Sequence, residues 1–250
     1  MSKHIASIPL ADIERIAIVT GNGRSMAQVK GDADYICNAG FYDMTTGRPV
    51  GHLKADGAVL AKEVWGCWGF AWDRDKSDIK MSALPDAKRT NYISGVEMLS
   101  PMIGVHDAMH YRPDVGGSRP RTAMALTGDK LLLYCADSPS TPEALRDTLY
   151  KLGAETAIML DGGGSSQCDF AGQKISSSRR VHNYLAVWLR KKEDKPVSKT
   201  VCLDPGHGGT DSANGSPDGT YKEHEFTLDM GKRIKAHLER CGVAVVMTRE

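Results

Sequence analysis

Two stretches of the sequence combine residue types at spacings that could do chemistry. The first is IMLDGGGSSQ, residues 158–167, in which an apolar run ends in the carboxylate of Asp161 and is followed by three glycines and two serines. Glycine loses more conformational freedom on folding than any other residue, so three in succession need a structural reason. Two explanations fit: an ordinary tight turn, or a bare backbone whose successive N–H groups form a concave nest for an anion.

A nucleotide-binding phosphate loop fits these glycines poorly. No Lys-Ser or Lys-Thr pair follows them, and the next residues, QCDFAGQKI, indicate a strand and a turn instead of a helix whose N-terminus would receive phosphate. The anion nest remains open. Asp161 and the hydroxyl groups of Ser165 and Ser166 would border it.

The second stretch is LDPGHGGTDS, residues 203–212, which is followed by YKEHEFTLDMGKRI, residues 221–234. It presents His207 on a glycine-rich turn at the end of an apolar run, and Glu223 at the start of a helical pattern. An imidazole nitrogen and a carboxylate oxygen are ligands that suit zinc. The pattern therefore indicates His207 and Glu223 as metal ligands, with a plain turn as the alternative.

Short strands and one helix must position the first stretch. The helical pattern STPEALRDTLYKLGAE begins at an N-cap of Ser140 or Thr141, places Leu145, Leu149 and Leu152 on one face, and ends at Gly153. It leads into TAIMLD, so Asp161 should end a strand that follows a helix, where ligands bind in sheets with helical crossovers. Apolar or alternating runs predict strands within residues 15–20, 35–42, 57–66, 122–127, 130–136 and 184–189.

A charged, proline-containing run, RKKEDKPVSK, interrupts two apolar patterns and predicts a linker over residues 191–199. Residues 1–190 are expected to form a strand-rich domain with few helices. Residues 200–250 have the pattern strand, helix, strand, a single βαβ unit too small to bury much core alone. We therefore expect the α+β fold class, with a partial α/β (βαβ) fragment after the linker.

The composition is that of an ordinary globular protein, with 41% hydrophobic residues and a formal net charge of +1. A charge this close to zero argues against nucleic acid or an anionic membrane as a partner. No signal-peptide pattern and no membrane-length apolar run is present, so we expect synthesis in the cytoplasm and action on a cell wall only after release. The six cysteines form no CxxC pair and are expected to be reduced and mostly buried.

Three further segments bear on the choice between a turn and a nest: NAGFYD at 38–43, SRPRTAMAL at 118–126 and SRRVHNYLAVWL at 178–189. In this order and spacing with LDGGGSSQ, they closely resemble the phosphodiester glycosidase family over residues 30–190. That family includes an enzyme that removes N-acetylglucosamine from a sugar-phosphate diester. The resemblance implies the site residues Asn38, Gly40, Arg121, Asp161, Gly162, Gly163, Ser165, Arg179 and Asn183. We take Asn38, Arg121 and Asp161, together with Asp43, as the catalytic candidates, and the others, together with Gly164, as substrate-binding candidates.

The chemistry of a phosphodiester suggests roles for some of these residues. Arg121 and Arg179 suit bidentate phosphate binding, supported by the glycine N–H groups. Breaking the bond between the anomeric carbon and the phosphate oxygen develops positive charge on the sugar, which a carboxylate can stabilise or trap. Asp161 is the first choice for that carboxylate and Asp43 the second, with the acid, base and nucleophile roles left unassigned. No cofactor is firmly implied for this domain.

Alternatives accompany several of these assignments. Arg179 could belong to a solvated Arg-Arg pair, and Asn38 could simply turn a strand end. The loop GVHDAMHYRPDVGG, residues 104–117, is expected to cover the site as a substrate-selecting lid. Side chains elsewhere are assigned first to structure: His106, His110 and His182 to the surface or loops, and Trp65, Trp68 and Trp72 to packing, with a sugar-stacking platform as the second interpretation of the tryptophans.

The second stretch, together with VVMTRE at 245–250, closely resembles the N-terminal part of the zinc-dependent type 3 N-acetylmuramoyl-L-alanine amidases. The resemblance implies that His207 and Glu223 are the first two zinc ligands. In that family the third ligand, a histidine, and the catalytic glutamate come from later sequence. A catalytic zinc site needs three protein ligands and an open position. We therefore expect zinc at an incomplete site and no amidase activity from residues 200–250.

The two resemblances in one chain suggest a bacterial or phage hydrolase of the cell envelope. The expected reaction is hydrolysis of a sugar-phosphate diester at the glycosidic bond to phosphate. The expected partners are that glycan substrate and peptidoglycan. Two alternatives stay open: a cytoplasmic phosphodiesterase or nucleotide-sugar hydrolase, and a non-catalytic module that binds the cell wall.

Overall fold

The computed structural model describes residues 2–62, 68–73, 78–83, 88–108, 111, 113–191, 200–211 and 214–249. The chain divides into two compact units, Met1–Lys191 and Lys192–Glu250, and each is described by itself. The linker predicted over 191–199 lies outside the described residues from 192 onward.

Two β-sheets and two α-helices make up the described part of the first unit. Its strands are β1 (Lys3–Pro9), β2 (Ile13–Thr20), β3 (Tyr35–Asn38), β4 (His52–Ala55), β5 (Ala58–Lys62), β6 (Trp68–Trp72), β7 (Lys80–Ser82), β8 (Asn91–Leu99), β9 (Arg119–Thr127), β10 (Lys130–Ser140), β11 (Thr156–Met159), β12 (Cys168–Phe170), β13 (Gln173–Ile175) and β14 (Asn183–Leu189). Its helices are α1 (Met26–Lys30) and α2 (Pro142–Lys151). Gly163–Ser165 forms a single turn of 3-10 helix, as does Leu10–Asp12.

Both sheets are antiparallel. The larger has the order β1-β10-β9-β11-β8-β4-β5, with β6 paired to β8 and β7 paired to β6. The smaller has the order β13-β12-β3-β14-β2. The strand predictions over 15–20, 122–127, 130–136 and 184–189 are confirmed by β2, β9, β10 and β14, while those over 35–42 and 57–66 are confirmed only in part, by β3 and β5.

The two sheets pack face to face because their facing side chains are apolar. Successive residues of a strand point to opposite sides. In β10, Leu131 and Leu133 therefore lie in the core shared with Leu185 of the smaller sheet. Leu132 points the other way and lies in a second core with Leu145 of α2. The larger sheet is thus covered on both faces, which explains the nearly continuous apolar run KLLLYCA.

Helix α2 begins and ends where the sequence predicts. The Thr141 hydroxyl accepts a hydrogen bond from the Ala144 N–H at 3.3 Å, and Pro142 occupies the first turn. Gly153, just after the helix, has a φ of +83°. Leu152 is 37% exposed, so it does not belong to the buried apolar face on which the sequence pattern placed it.

The expected crossover topology around Asp161 is wrong, although the site does lie at the end of β11. This strand is antiparallel to both neighbours, β8 and β9, so no parallel βαβ crossover exists there. The Leu160 N–H donates to the Thr122 carbonyl of the larger sheet, and the Asp161 N–H donates to the Ala39 carbonyl beside the smaller sheet. Asp161 therefore occupies the point where the chain passes from one sheet to the other.

The second unit contains the predicted strand, helix and strand: β15 (Thr200–Leu203), α3 (Glu223–Arg240) and β16 (Ala244–Met247). The two strands are parallel, which a βαβ connection produces. Of the apolar helix residues, Phe226 and Ile234 are exposed, whereas Gly231 packs closely against Pro205 and Met247.

The α+β class with a strand-rich first part and few helices is confirmed. Among the described helices, none has the length and apolar composition needed to cross a membrane.

Candidate active site

Three different constraints account for the three glycines. A Cβ atom on Gly162 would lie 2.8 Å from the Pro120 carbonyl oxygen, too close for any side chain. Gly163 has a φ of +61°, in the left-handed region that favours glycine. A Cβ atom on Gly164 would lie 2.9 Å from an Arg179 guanidinium nitrogen. The backbone of this turn is therefore bare because other groups approach it closely.

The turn leaves two N–H groups available to a ligand. The Gly162 N–H donates to the Asp161 carboxylate at 2.9 Å, and the Ser165 and Ser166 N–H groups donate to backbone carbonyls of the turn. Within the described residues, no hydrogen bond occupies the N–H groups of Gly163 and Gly164, which begin the short helix. The geometry is that of a small anion nest.

The carboxyl group of Asp161 is the most perturbed acid in this pocket. Burial raises its pKa to about 6, against the lowering influence of the Ser165 hydroxyl, the Gly162 N–H and the Arg179 charge. A carboxyl with such a pKa can change protonation state near neutral pH, which is a property of catalytic acids and bases.

Arg179 is half-buried and faces the same pocket. One of its guanidinium nitrogens donates to the Ser165 hydroxyl at 3.2 Å, and the guanidinium lies over Gly164. The backbone carbonyl of Arg179 accepts a hydrogen bond from the Gln167 side chain at 3.0 Å, which fixes the segment. Arg179 is therefore held beside the glycine N–H groups, where a phosphate oxygen would meet both.

Arg121 has a different environment from the one we expected. It is 2% exposed, and its guanidinium donates to the carbonyls of Ser140 at 2.9 Å and Val115 at 2.9 Å, and to that of Gly117. Each of its three guanidinium nitrogens thus donates to a backbone carbonyl, so the side chain has no free pair of parallel N–H groups for bidentate phosphate binding. Arg119, which the sequence analysis did not single out, donates likewise to the carbonyls of residues 113 and 114. The two arginines hold the loop beside the pocket.

Asn38 lies behind the pocket and connects its parts. Its side-chain amide donates to the Asp161 carbonyl at 2.6 Å, and its oxygen accepts from the Thr122 hydroxyl at 2.8 Å and the Gln167 N–H at 3.0 Å. The residue is fully buried, so it positions Asp161 and has no surface for a substrate.

Asn183 plays a similar part at Gly40. Its side-chain oxygen accepts from the Gly40 N–H at 2.6 Å, and its amide lies 3.5 Å from the Gly40 carbonyl. The Asn183 side chain and the Gly40 N–H are therefore hydrogen-bonded to each other, and this contact fixes the backbone behind the site. The sequence pattern located these residues correctly at strand ends but could not show that they face inward.

Asp43 is exposed at the rim of the pocket. Its carboxylate accepts hydrogen bonds from the Thr45 and Thr46 N–H groups at 2.8 and 2.7 Å and from the Thr46 hydroxyl at 3.1 Å. These bonds, above all the one from the Thr46 backbone, lower its pKa. Asp43 therefore stabilises its own turn and is a weaker candidate than Asp161 for the reacting carboxylate.

Of the predicted site residues, Asp43, Arg121, Asp161, Gly162, Gly163, Gly164, Ser165 and Arg179 line one cavity of about 700 Å³, whereas Asn38, Gly40 and Asn183 are not in its lining. Its lining includes side chains that the sequence analysis did not assign to the site, of which Phe41, Tyr42 and Arg119 are the largest. All three lie within segments that carried the resemblance, and that location in the sequence was the available signal. Asp114 and Val115, from the loop expected to form a lid, also line it. Residues 109, 110 and 112 of that loop lie outside the described residues.

Several side chains have the structural roles assigned to them. Trp72 is fully buried and donates to the Ile16 carbonyl at 3.0 Å, as packing requires, and Trp68 is half-buried. His106 is exposed, and burial lowers the pKa of His182. Trp65 and His110 lie outside the described residues.

The cysteine prediction is confirmed in part. The five described cysteines are free; Cys37, Cys135 and Cys168 are buried, whereas Cys202 and Cys241 are exposed, contrary to expectation. Cys67 lies outside the described residues.

In the second unit, the structure brings His207 and Glu223 together. The His207 Nε2 lies 3.8 Å from a Glu223 carboxylate oxygen, and its Nδ1 lies 2.9 Å from Asp211. Asp211 is the main cause of the raised pKa of His207. Two donors this close could share one zinc ion, but the described residues hold no cluster of three His, Cys, Asp or Glu side chains that could complete the site. The residues present therefore do not fit a catalytic zinc.

The chain that carries the half-buried Asp161 carboxylate beside the glycine turn resembles known proteins in sequence and in fold. The sequence profile described as phosphodiester glycosidase matches residues 31–188, which is more than half of the chain. The chain belongs to the phosphodiester glycosidase family. The profile described as N-acetylmuramoyl-L-alanine amidase matches residues 201–250.

Two solved structures show the same fold. The zebrafish N-acetylglucosamine-1-phosphodiester alpha-N-acetylglucosaminidase catalytic domain, auto-inhibited by its pro-peptide, is similar over 76% of this chain and 83% of its own, with a TM-score of 0.60 and 17% identity. A hypothetical protein from Synechocystis is similar over 75% of this chain and 57% of its own, with a TM-score of 0.53 and 12% identity.

Curated relatives match shorter stretches. A probable cell wall amidase, LytH, of Staphylococcus saprophyticus is 40% identical over 86 residues, which is 30% of this chain and 30% of that protein. The Staphylococcus aureus protein of the same name is 44% identical over 61 residues, 23% of this chain and 21% of its own length. This chain thus spans less than a third of these relatives.

Proposed function

We propose that the first unit hydrolyses a sugar-phosphate diester at the bond between the anomeric carbon and the phosphate oxygen. The observation that carries this proposal is the half-buried carboxylate of Asp161 beside the Arg179 guanidinium and the open N–H groups of Gly163 and Gly164. One side of the cavity thus suits a phosphate anion, and the adjoining side suits a sugar ring that becomes positively charged. Membership of the phosphodiester glycosidase family supports this assignment.

Each group has a specific task in the proposed reaction. Arg179 and the two glycine N–H groups bind the phosphate and stabilise the charge that it gains as it leaves. The ionised Asp161 stabilises the developing positive charge at the anomeric carbon or attacks that carbon directly. Phosphate is a good leaving group, so the reaction needs no strong general acid. Arg121, Asn38 and Asn183 act indirectly, by holding the backbone that carries these groups.

The substrate that we propose is a phosphodiester-linked glycan of a bacterial envelope, encountered after the protein is released from the cytoplasm. The amidase match at residues 201–250 and the cell wall amidases among the relatives support this location. The described surroundings of His207 and Glu223 do not fit a catalytic zinc, and no step of the proposed reaction passes through a metal. We propose that residues 200–250 do not themselves hydrolyse peptidoglycan amides.

Hydrolysis of N-acetylglucosamine-1-phosphoglycerol in ¹⁸O-labelled water tests the proposal. Cleavage by a glycosidase places the label on the anomeric carbon of the released sugar and leaves all phosphate on glycerol. Label in the phosphate would instead identify a phosphodiesterase. Tight binding of the diester without turnover would identify a binding module.

Two variants make the test specific. Asp161→Asn should abolish sugar release, and Arg179→Ala should raise the KM strongly, because the first removes the reacting carboxylate and the second a phosphate ligand. Asp147→Asn, an exposed carboxylate on α2, is the matched control and should retain activity. Full activity of the Asp161→Asn variant would contradict the proposed role of that residue.

A further inference from the structure

A second cavity, of about 590 Å³, adjoins the candidate active site. The two cavities share Asp43 and Val50 in their linings, so they lie on two sides of the turn formed by residues 43–48. This turn is closed by hydrogen bonds from the Asp43 N–H to the Arg48 carbonyl and from the Gly47 N–H to the Asp43 carbonyl, both at 2.8 Å. A substrate that extends beyond the first cavity past this turn would enter the second.

The polar lining of the second cavity is predominantly cationic. Arg48 and Lys62 contribute their side chains, and neither forms an ion pair with any described residue. Among the described residues of the lining, Asp43 carries the single carboxylate, and one of its oxygens accepts three hydrogen bonds from Thr45 and Thr46. It forms no ion pair with Arg48 or Lys62, and two positive charges against one negative charge give the described lining a net positive charge.

The remaining lining is apolar or neutral. Val50, Leu60 and Ala61 contribute apolar surface that could contact the carbon face of a sugar or polyol. His182 is half-buried, and burial lowers its pKa, so near neutral pH it is an uncharged imidazole. A lining that combines apolar surface with two cations matches a unit that carries a hydrocarbon or sugar skeleton and one negative charge.

We propose that the second cavity is a subsite for the next anionic unit of the substrate, so that the natural substrate is a chain of repeated phosphodiesters and not a single diester. This inference rests on the proposed function, because it takes the first cavity as the site of the sugar whose bond is cleaved. The terminal sugar and its phosphate occupy the first cavity. Arg48 and Lys62 bind the following phosphate.

The experiment compares two probes that differ by one phosphate: N-acetylglucosamine-1-phosphoglycerol, and the same molecule with a second phosphate on the glycerol. Binding is measured by calorimetry on the full chain carrying Asp161→Asn, which prevents turnover. Exposed ion pairs between the second phosphate and the two cations Arg48 and Lys62 contribute modestly to the binding free energy. The two-phosphate probe should therefore bind about fivefold tighter than the one-phosphate probe, and added salt should reduce this difference. The double variant Arg48→Ala and Lys62→Ala should remove it.

The matched control removes two positive charges elsewhere in the same unit, with Lys130→Ala and Lys151→Ala. Both lysines are exposed, and neither is among the residues that line the two cavities. This control should preserve the preference for two phosphates. Equal binding of the two probes, or an unchanged preference in the Arg48 and Lys62 double variant, would overturn the subsite.

Failure of the subsite and failure of the proposed function give different results. If the first cavity does not bind the diester, neither probe binds measurably and inorganic phosphate is the remaining probe of the second cavity. Phosphate binding that requires Arg48 and Lys62 would then show an anion site without a link to the first cavity, and this would contradict the proposed continuous substrate. Binding of the one-phosphate probe with no gain from the second phosphate would leave the glycosidase proposal intact and reject the subsite.

Discussion

Asp161 is the residue whose ionisation should govern the rate of the proposed reaction. Burial raises its pKa to about 6. Because only the ionised carboxylate can stabilise a positive sugar ring, kcat/KM should be constant at higher pH and fall as the pH is lowered through about 6. A pH profile of sugar release checks this. A rate that rises as the pH falls would instead make the protonated acid the active form.

The Ser165 hydroxyl should shift that profile. It is the largest of the influences that lower the pKa of Asp161, so Ser165→Ala should move the acidic limb to higher pH. Ser166→Ala is the matched control, because the buried Ser166 hydroxyl has no hydrogen-bond partner among the described residues. An identical shift in both variants would mean that the change reports a general disturbance of the turn.

The same raised pKa makes a prediction about stability. The carboxyl has a pKa of about 3.8 in the unfolded chain and about 6 in the folded protein. Because the unfolded chain releases this proton more readily, the free energy of unfolding decreases as the pH rises between these values. Asp161→Asn removes this penalty and should raise the free energy of unfolding at pH 7 by about 1–2 kcal/mol. Urea unfolding at several pH values measures it. The gain should shrink towards pH 4, and a variant less stable than the wild type at pH 7 would contradict the burial argument.

Among the elements, the strand β9 controls the loop beside the pocket through its first residues. Arg121→Met would leave the carbonyls of Val115, Gly117 and Ser140 without their donor. Val115 is buried, so its carbonyl would lose its partner without access to water, and the two partly buried bonds add to the loss; the free energy of unfolding should therefore fall by about 2–4 kcal/mol. Urea unfolding checks the magnitude, and hydrogen exchange over residues 113–117 checks that the loop has loosened.

Arg119 provides the comparison. It donates to the carbonyls of residues 113 and 114 but is exposed, so Arg119→Ala should cost less than about 1 kcal/mol. Arg121→Lys should fail to restore the wild-type stability, because one ammonium group cannot reproduce the planar fork that reaches several carbonyls. Full recovery with lysine would show that charge alone matters at this position.

At the scale of the whole molecule, sugar release should depend on the first unit alone. Every strand of its two sheets pairs within Met1–Lys191, and every pocket residue belongs to the same unit. A chain ending at Lys191 should therefore fold and retain kcat/KM within about twofold, and a chelator should not change the rate. Circular dichroism and the sugar-release assay test both. Loss of activity in the folded shorter chain would assign residues 200–250 a part in the site.

Local patterns in the sequence determined the elements that depend on near neighbours. The cap at Thr141 and the stop at Gly153 predicted α2, because a helix is bounded by contacts within a few residues. The βαβ pattern of residues 200–250 was predicted for the same reason. The Asp161 motif could likewise be identified as a candidate site, since carboxylate and glycines are adjacent in the chain.

Only the tertiary structure decided which candidate side chains face the cavity. The partners of Asn38 are at Thr122, Asp161 and Gln167, and no local pattern reveals hydrogen bonds between residues so far apart in the chain. The same holds for Arg121, whose guanidinium could have pointed to solvent, substrate or backbone. The pKa of Asp161 also depends on how closely the two sheets enclose it. Burial and long-range hydrogen bonding are properties of the packed sheets, and for this reason the sequence by itself specified the residue types of the site but not their roles.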